Sequence, residues 1–223
     1  FEFIIPSLVD SYDLSNQNPA FAEAISVLDE WNHTVSADSV AMSLAHYYGM
    51  EMLQSDARPK GASRMETYMH FFESGTPQEQ LDLLDKAMTK MTADFGTWKM
   101  PWGEINRFQR LSGAIDLEFD DSKKSYPVPM ASGRWGALAA FGASQGENTK
   151  KIYGYRGNSF VAVVEFGDKV KAKSLLAGGQ SNDPDSPHFD DQILPYINVE
   201  FKDVPYYRDD VEARAVRTYR PGQ

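Results

Sequence analysis

The chain changes character near residue 100, and this change constrains the fold more than any other feature of the sequence. Eight of the nine Met residues lie between Met42 and Met100, whereas 12 of the 16 Gly residues follow that point. Met packs readily between helices, and Gly marks turns and strand ends. We therefore expect an α+β chain with a helical region at residues 1–100 and a strand-rich region at residues 101–223.

The composition argues against several classes of protein. The formal net charge is −10, whereas a nucleic-acid-binding protein normally needs a basic surface. The chain has no Cys, which excludes disulfides, thiolate metal sites and Cys nucleophiles. No apolar run approaches the roughly 18 residues of a membrane-spanning helix. The start at Phe1, without a basic leader or an initiator Met, indicates a processed product or a fragment.

Apolar residues recur at helical spacing in the first region and predict four helices. The predicted ranges are about 21–31, 38–53, 62–72 and 76–96. Thr76 followed by Glu79 forms the sequence pattern of a capping box, and Gly96 is a typical helix end. We interpret the apolar stripes as core packing rather than as a cofactor site.

β-Branched and aromatic residues dominate a segment of the second region and predict a hairpin at residues 158–176. Its arms are separated by Gly167-Asp168, a two-residue turn pattern. The first arm is apolar on both faces, which is typical of a strand covered on both sides. Further predicted elements are strands at 134–141 and 212–219 and a short helix at 189–198.

The segment Gly142-Ala143-Ser144-Gln145-Gly146 matches the G-x-S-x-G pattern of a serine nucleophile elbow. Asp185 and His188 follow in the chain order of a Ser–Asp–His triad. However, the residues after Gly146 have no apolar helical face, and such an elbow must lie between a strand and a helix. A chance match in Gly-rich sequence is the simpler interpretation.

The segment 182–191 is rich in side chains that bind hard cations. It contains Asp183, Asp185, Asp190 and Asp191, and oxygen ligands of this kind suit calcium. The spacing differs from that of an EF-hand loop. The alternative is an ordered loop whose carboxylates accept backbone N–H groups and cap the following helix.

Glu165 is a carboxylate at the end of the apolar arm 160–166. On a strand buried on both faces, a carboxylate needs a hydrogen-bonding or charged partner. Glu165 could therefore orient a catalytic His or Arg. Alternatively, it is a strand-end residue that pairs with a Lys of the opposite arm.

Three motifs together resemble the penicillin acylase family. The first is the Trp-Gly segment Trp102–Arg110, and the second is Gly157–Glu165. The third and most specific is Gly179–Gln192, with a Gln-Ser pair followed by Ser-Pro-His-Phe-x-Asp-Gln. A Leu-Asp-x-Trp element, Leu28 to Trp31, is compatible with the same family, so the resemblance covers nearly all of the chain.

The resemblance implies the C-terminal part of the β subunit of an N-terminal-nucleophile hydrolase, an αββα sandwich. In such enzymes a precursor cleaves itself and exposes a Ser, which attacks an N-acyl amide with its own α-amino group as the base. That Ser, its neighbouring His and the oxyanion Asn match no residue here, so the chain alone is expected to be inactive. In the cephalosporin acylase branch a Glu on a late strand holds the catalytic His, and Glu165 lies at about that place.

The resemblance further implies partner chains from the same precursor, including one that starts with the Ser nucleophile, and a periplasmic location. Expected substrates are β-lactam antibiotics or N-acyl homoserine lactones. No cofactor is expected in this chain, and a structural calcium would lie elsewhere in the assembly. On this view the regions 1–100 and 101–223 belong to one larger catalytic assembly, and the hairpin 158–176 joins a shared central sheet.

Two other functions stay open at this point. The chain could be a self-standing binding or interaction module with a helical lobe on a small sheet. It could also be a serine esterase that uses Ser144.

Overall fold

The computed structural model describes residues 1–14, 17–220 and 222. These residues form α-helices and short β-strands in two compact units, and the predicted α+β class is confirmed. The first unit comprises residues 1–109 and 118–155, and the second comprises residues 110–117 and 156–223. No helix within the described residues is both long and apolar enough to cross a membrane.

The first unit is built mainly of helices, and all four predicted helices are confirmed. Its helices are α1 (Ile4–Leu14), α2 (Ala22–Asp29), α3 (Val40–Gln54), α4 (Arg64–Ser74), α5 (Pro77–Phe95) and the single turn α6 (Trp102–Ile105). Helix α1 was not predicted. The capping box of Thr76 and Glu79 opens α5, and Gly96 ends it in the left-handed conformation with φ of 81°. Ser63 and Glu66 form a second capping box at the start of α4.

The core of this unit lies where α3 packs on α5. Leu44 and Tyr48 of α3 and Leu84 of α5 are completely buried. Two buried polar side chains of this core are paired with each other and with α1: the Tyr48 hydroxyl donates to Gln80 Oε1 at 3.2 Å, and the Gln80 amide donates to Ser7 Oγ at 3.0 Å. The side chain of Gln80 thereby links α5 to both α1 and α3.

A four-stranded sheet follows the helices along the chain, in the order β2-β1-β4-β3. Its strands are β1 (Asn106–Phe108), β2 (Tyr126–Pro127), β3 (Phe141–Gln145) and β4 (Ile152–Gly157). The strand predicted at 134–141 is wrong, because residues 133–135 form a 3-10 turn that Gly136 ends with φ of 84°. The chain becomes extended only from Phe141.

The second unit contains a three-stranded antiparallel sheet with the order β5-β6-β7. Its elements are β5 (Phe160–Glu165), β6 (Lys171–Leu176), α7 (Ile193–Ile197), β7 (Lys202–Asp203) and α8 (Arg208–Arg214). The predicted hairpin and the short helix are confirmed. The turn is longer than predicted, because Glu165 pairs with Lys171 and leaves 166–170 as the connection.

The strand predicted at 212–219 is wrong, because its first residues belong to helix α8. Two Asp residues in the first turn favour this helix. Arg208 and Glu212 also form an i,i+4 ion pair of 3.0 Å along it.

Candidate functional site

Glu165 lies at the exposed end of β5. Its side chain is 71% exposed and lies 3.4 Å from Lys171 Nζ, across the hairpin. The pairing with a Lys of the opposite arm is therefore present. The role of Glu165 in orienting a catalytic group stays a prediction.

Strand β5 is an edge strand whose apolar side chains are largely uncovered within the described residues. Phe160 is 62% exposed and Val163 is 59% exposed, and Val164 is exposed as well. The expectation that this arm is covered on both sides is not met by the chain itself. Side chains project from the two faces of a sheet, so their exposure means that the described residues pack little against the faces of β5. Its outer edge is also unpaired, because β5 begins the strand order of its sheet.

Ser144 does not occupy a nucleophile elbow. It is an exposed residue within β3, and the chain turns at 146–149 and re-enters the same sheet as β4. No helix follows the serine, so the arrangement that would supply an oxyanion hole is missing. Among the described residues, no Ser or Thr hydroxyl donates to a His ring. Ser144 and the pair Asp185 and His188 belong to different units.

The Trp-Gly motif performs a structural task in the first unit. Trp102 is fully buried, and its indole donates to the Met130 carbonyl at 3.3 Å. The side-chain amide of Asn106 donates to the carbonyls of both Val128 and Met130, at 3.0 and 2.9 Å. Gly103 donates its N–H to the Ala37 carbonyl at 2.7 Å. The bonds of Trp102 and Asn106 hold the start of the sheet to residues 128–130. The bond of Gly103 holds it to the residues that precede helix α3.

Arg110, the last residue of this motif, organises the loop 179–192 within the second unit. Its guanidinium donates to the carbonyls of Gly179, Phe189 and Ser181, the last at 2.8 Å, and to Asn182 Oδ1 at 3.1 Å. The guanidinium carbon also lies 4.2 Å from the centre of the buried Phe189 ring. Arg110 of the Trp-Gly motif and the motif Gly179–Gln192, which are distant in sequence, thus form one structure.

Gly179 lies where the two ends of the loop come together. A Cβ on this residue would collide with the backbone oxygens of His188 and Phe189. The N–H of Ser181 donates to the His188 carbonyl at 3.1 Å and closes the loop. The absence of a side chain at Gly179 is therefore required by the close approach of backbone.

The carboxylates of this loop hold its own backbone and side chains. Asp183 accepts the N–H of Asp185 at 3.0 Å. Asp191 lies 3.0 Å from His188 Nδ1, and this hydrogen bond lowers the pKa of Asp191 below its ordinary value. The described residues contain no group of three or more acidic or His side chains placed to hold a metal. The loop is thus ordered, and Asp183 accepts a backbone N–H as expected. The expectation that its carboxylates cap the following helix is wrong, because no side chain caps helix α7 at Gln192.

A further cluster lies in the first unit around His46, which is buried on helix α3. The Trp135 indole donates to His46 Nδ1 at 3.1 Å. Burial, with a smaller contribution from the charge of Arg134, lowers the pKa of His46 to about 3. His46 is therefore neutral at ordinary pH. The Trp135 ring also contacts Gly49, where a Cβ would collide with it.

The sequence did not predict the contacts of Arg110 with the loop 179–192 or the effect of Arg134 on His46. Arg134 was assigned to a strand, and Arg110 was noted only as part of a motif. The one available signal for Arg110 was its place at the end of the Trp-Gly segment. Its partners lie 69 to 79 residues further along the chain, and no local pattern predicts such contacts.

Comparison with known proteins identifies the family of the chain. Among solved structures, it resembles the thermostable penicillin G acylase of Alcaligenes faecalis in its orthorhombic form, with 16% identity and a TM-score of 0.47. The match covers 99% of this chain and 46% of that chain. The chain thus spans less than half of the structure that it matches. The family model of penicillin amidase matches residues 1–213, and because this match covers nearly the whole sequence, the chain belongs to the penicillin amidase family.

Proposed function

We propose that this chain is part of an N-acyl amide hydrolase, the C-terminal portion of the β subunit of an N-terminal-nucleophile enzyme. Family membership supports the class of reaction. The observation that carries the proposal is strand β5, an apolar edge strand that the described part of the chain leaves largely uncovered. A long apolar edge is a site for pairing with another strand, and here we assign the covering strand to the rest of the same protein.

The reacting groups come from another segment of the precursor. Amide hydrolysis of this kind needs a nucleophile, a base and oxyanion donors. Ser144, the candidate nucleophile in this chain, lacks both a His partner and an oxyanion-bearing helix. The proposed nucleophile is an N-terminal Ser released by autoproteolysis. Its α-amino group titrates near pH 8 and can accept the hydroxyl proton at neutral pH.

The reaction divides into two steps. The Ser oxygen attacks the amide carbonyl, and the amine leaves after it takes up the proton that the α-amino group received. Water then attacks the resulting ester, and the carboxylic acid is released. In both steps, backbone N–H groups and an Asn outside this chain stabilise the negative oxygen.

Glu165 is proposed as a positioning residue in the complete enzyme. In the chain itself it is exposed and pairs with Lys171. A segment packed on the face of the sheet that carries Glu165 would cover its apolar neighbours and reduce the exposure of the carboxylate. A partly buried carboxylate can then hold a catalytic His in one orientation by accepting its N–H.

The test of this role compares Glu165→Gln with Glu147→Gln, an exposed Glu in the turn between β3 and β4. In the complete enzyme we expect Glu165→Gln to lower kcat with little change in KM or melting temperature, and to shift the pH profile of kcat. Glu147→Gln should leave all of these unchanged. Wild-type turnover by Glu165→Gln would refute the role.

The proposed substrates are penicillins, cephalosporins with glutaryl or aminoadipyl chains, and N-acyl homoserine lactones, hydrolysed in the periplasm. Release of free amine from one compound of each group distinguishes among them. The proposal of a split enzyme is tested by mass spectrometry of the purified protein. We expect a companion polypeptide that begins with Ser. Amide hydrolysis by residues 1–223 alone would contradict the proposal.

A further inference from the structure

The first unit contains a small cavity of about 170 Å³ that is lined by residues of α3, α5, the 3-10 turn and strands β3 and β4. All of its lining residues fall within positions 46–155. A water molecule takes up about 30 Å³ in the liquid, whereas sites for drug-sized ligands have about 300–1,000 Å³. The cavity therefore has room for a ligand of about six non-hydrogen atoms and excludes a drug-sized molecule.

Two half-buried side chains of opposite charge line this cavity, Glu51 of α3 and Arg134 of the 3-10 turn. No ion pair among the described residues includes either of them. The one hydrogen bond of the Arg134 side chain runs from Nη1 to the sulfur of Met50 at 2.7 Å, and a thioether is a weak acceptor. The carboxylate and the guanidinium thus line one space without contacting each other.

Opposite charges that are held apart across a cavity favour a ligand that carries both. A charge that is partly removed from water is stabilised by an opposite charge at contact distance. An anion alone would pair with Arg134 but would also lie near the carboxylate of Glu51. A cation alone would have the reverse problem, so a zwitterion is the ligand that satisfies both walls.

The other groups that line the described cavity add no further unpaired charge. Lys90 already forms an ion pair with Asp94 at 3.0 Å. His46 is neutral at ordinary pH, and because its Nδ1 accepts the Trp135 N–H, its own proton is on Nε2. Ile152 is buried and adds apolar surface. The cavity thus combines one free cation, one free anion and an apolar wall.

We propose that this cavity binds a small zwitterionic α-amino acid, such as glycine or alanine. The carboxylate of the ligand binds the Arg134 guanidinium, whose paired donors match its two oxygens. The ammonium group of the ligand binds the Glu51 carboxylate, and a methyl side chain contacts Ile152. The proposal concerns binding only and does not depend on the hydrolase reaction.

The first experiment uses the complete protein that contains this chain, labelled with ¹³C at the Met methyl groups. The signal of Met50, which lines the cavity, is assigned with Met50→Leu. Met88, which does not line it, is the internal control. L-Alanine, propionate and ethylamine are titrated in turn, because propionate is alanine without its ammonium group and ethylamine is alanine without its carboxylate.

We expect alanine to shift the Met50 signal, to leave Met88 unchanged, and to bind at least about tenfold more tightly than propionate or ethylamine. No shift of Met50 with alanine would overturn the proposal. Equal affinities for alanine and either singly charged compound would overturn it as well. This series requires no variant at Glu51 or Arg134 and is therefore independent of any effect of those changes on folding.

The second experiment removes each charge in turn. Glu51→Gln should weaken alanine binding at Met50 by at least about tenfold and strengthen propionate binding, because it removes the repelling carboxylate. Arg134→Gln should weaken alanine binding similarly and strengthen ethylamine binding. A general loss of structure would not produce these opposite changes.

The matched control is Glu147→Gln, which changes an exposed Glu of the turn between β3 and β4 that does not line the cavity. It should leave the affinities for all three compounds unchanged. Undiminished alanine binding by Glu51→Gln, or by Arg134→Gln, would refute the assignment of that charge.

Discussion

Helices α3 and α5 bury their apolar stripes, whereas strand β5 leaves its apolar residues open. Leu44, Tyr48 and Leu84 have no exposed surface, but Phe160 and Val163 keep more than half of theirs. Both segments carry strong apolar patterns in the sequence. Within the described residues, the first unit covers its own apolar helix faces, whereas the apolar side chains of the hairpin arm β5 stay exposed. The following predictions contradict or sharpen this comparison.

The largest expected effect separates a self-covered residue from an uncovered one. Leu84→Ala should lower the free energy of unfolding by about 2–5 kcal/mol, because it leaves a cavity between α3 and α5. In the isolated chain, Val163→Ala should change it by less than about 0.5 kcal/mol, as is usual for exposed positions. Denaturant titration measures both values.

The same Val163→Ala variant should cost about 2 kcal/mol in the complete protein if a neighbouring segment covers β5. An equally small effect in the isolated chain and in the complete protein would contradict the idea that another segment covers β5. The hairpin would then be a solvent-exposed element.

The next prediction tests whether Arg110 keeps the loop 179–192 of the second unit as well ordered as the helices of the first unit. Arg110→Met removes the donor that binds the loop 179–192 and should cost about 2–3 kcal/mol, because carbonyls that pair with a charged donor lose it. Hydrogen exchange should then accelerate across this loop while α3 and α5 stay protected. Arg208→Met is the charge-matched control, and unchanged exchange in Arg110→Met would contradict the role of Arg110.

A pH dependence follows from the buried, neutral His46 of the first unit. Its pKa is about 3 in the folded state, against about 6.5 when unfolded. Between these values the unfolded chain binds more protons, so stability is fully present above pH 6.5 and falls as the pH is lowered toward 3. The slope contributed by His46 approaches about 1.4 kcal/mol per pH unit.

His46→Gln, which keeps an acceptor for the Trp135 indole, should remove this part of the slope. Unfolding free energies of both proteins at several pH values between 4 and 7 give the difference, with the range chosen from the reference pKa of about 6.5. Parallel curves for the two proteins would mean that His46 is accessible to protons in the folded state.

The smallest effect concerns local order. Thr76→Ala removes the side-chain acceptor for the Glu79 N–H at the start of α5 and should cost about 1 kcal/mol. The cost should be the same in the isolated chain and in the complete protein, unlike that of Val163→Ala. A cost that differs between the two would mean that the first unit also depends on outside cover.

The elements that could be predicted from the sequence are those stabilised by near neighbours. The capping box at Thr76, the end of α5 at Gly96 and the pairing of Glu165 with Lys171 each involve residues within a few positions of one another. The strand predicted at 134–141 failed because Gly136 takes a positive φ and the Trp135 ring packs against Gly49 of α3. That contact is decided by tertiary packing, which overrides local preference.

The sequence by itself determined the α+β class, the four main helices, the hairpin and the family, because repeating apolar spacing and short motifs carry this information locally. Only the tertiary structure decided that Arg110 holds the loop 179–192, that Arg134 lacks an acidic partner within the described residues, and that β5 is uncovered. Each of these depends on which residues meet across long separations, and no spacing along the chain encodes such distances.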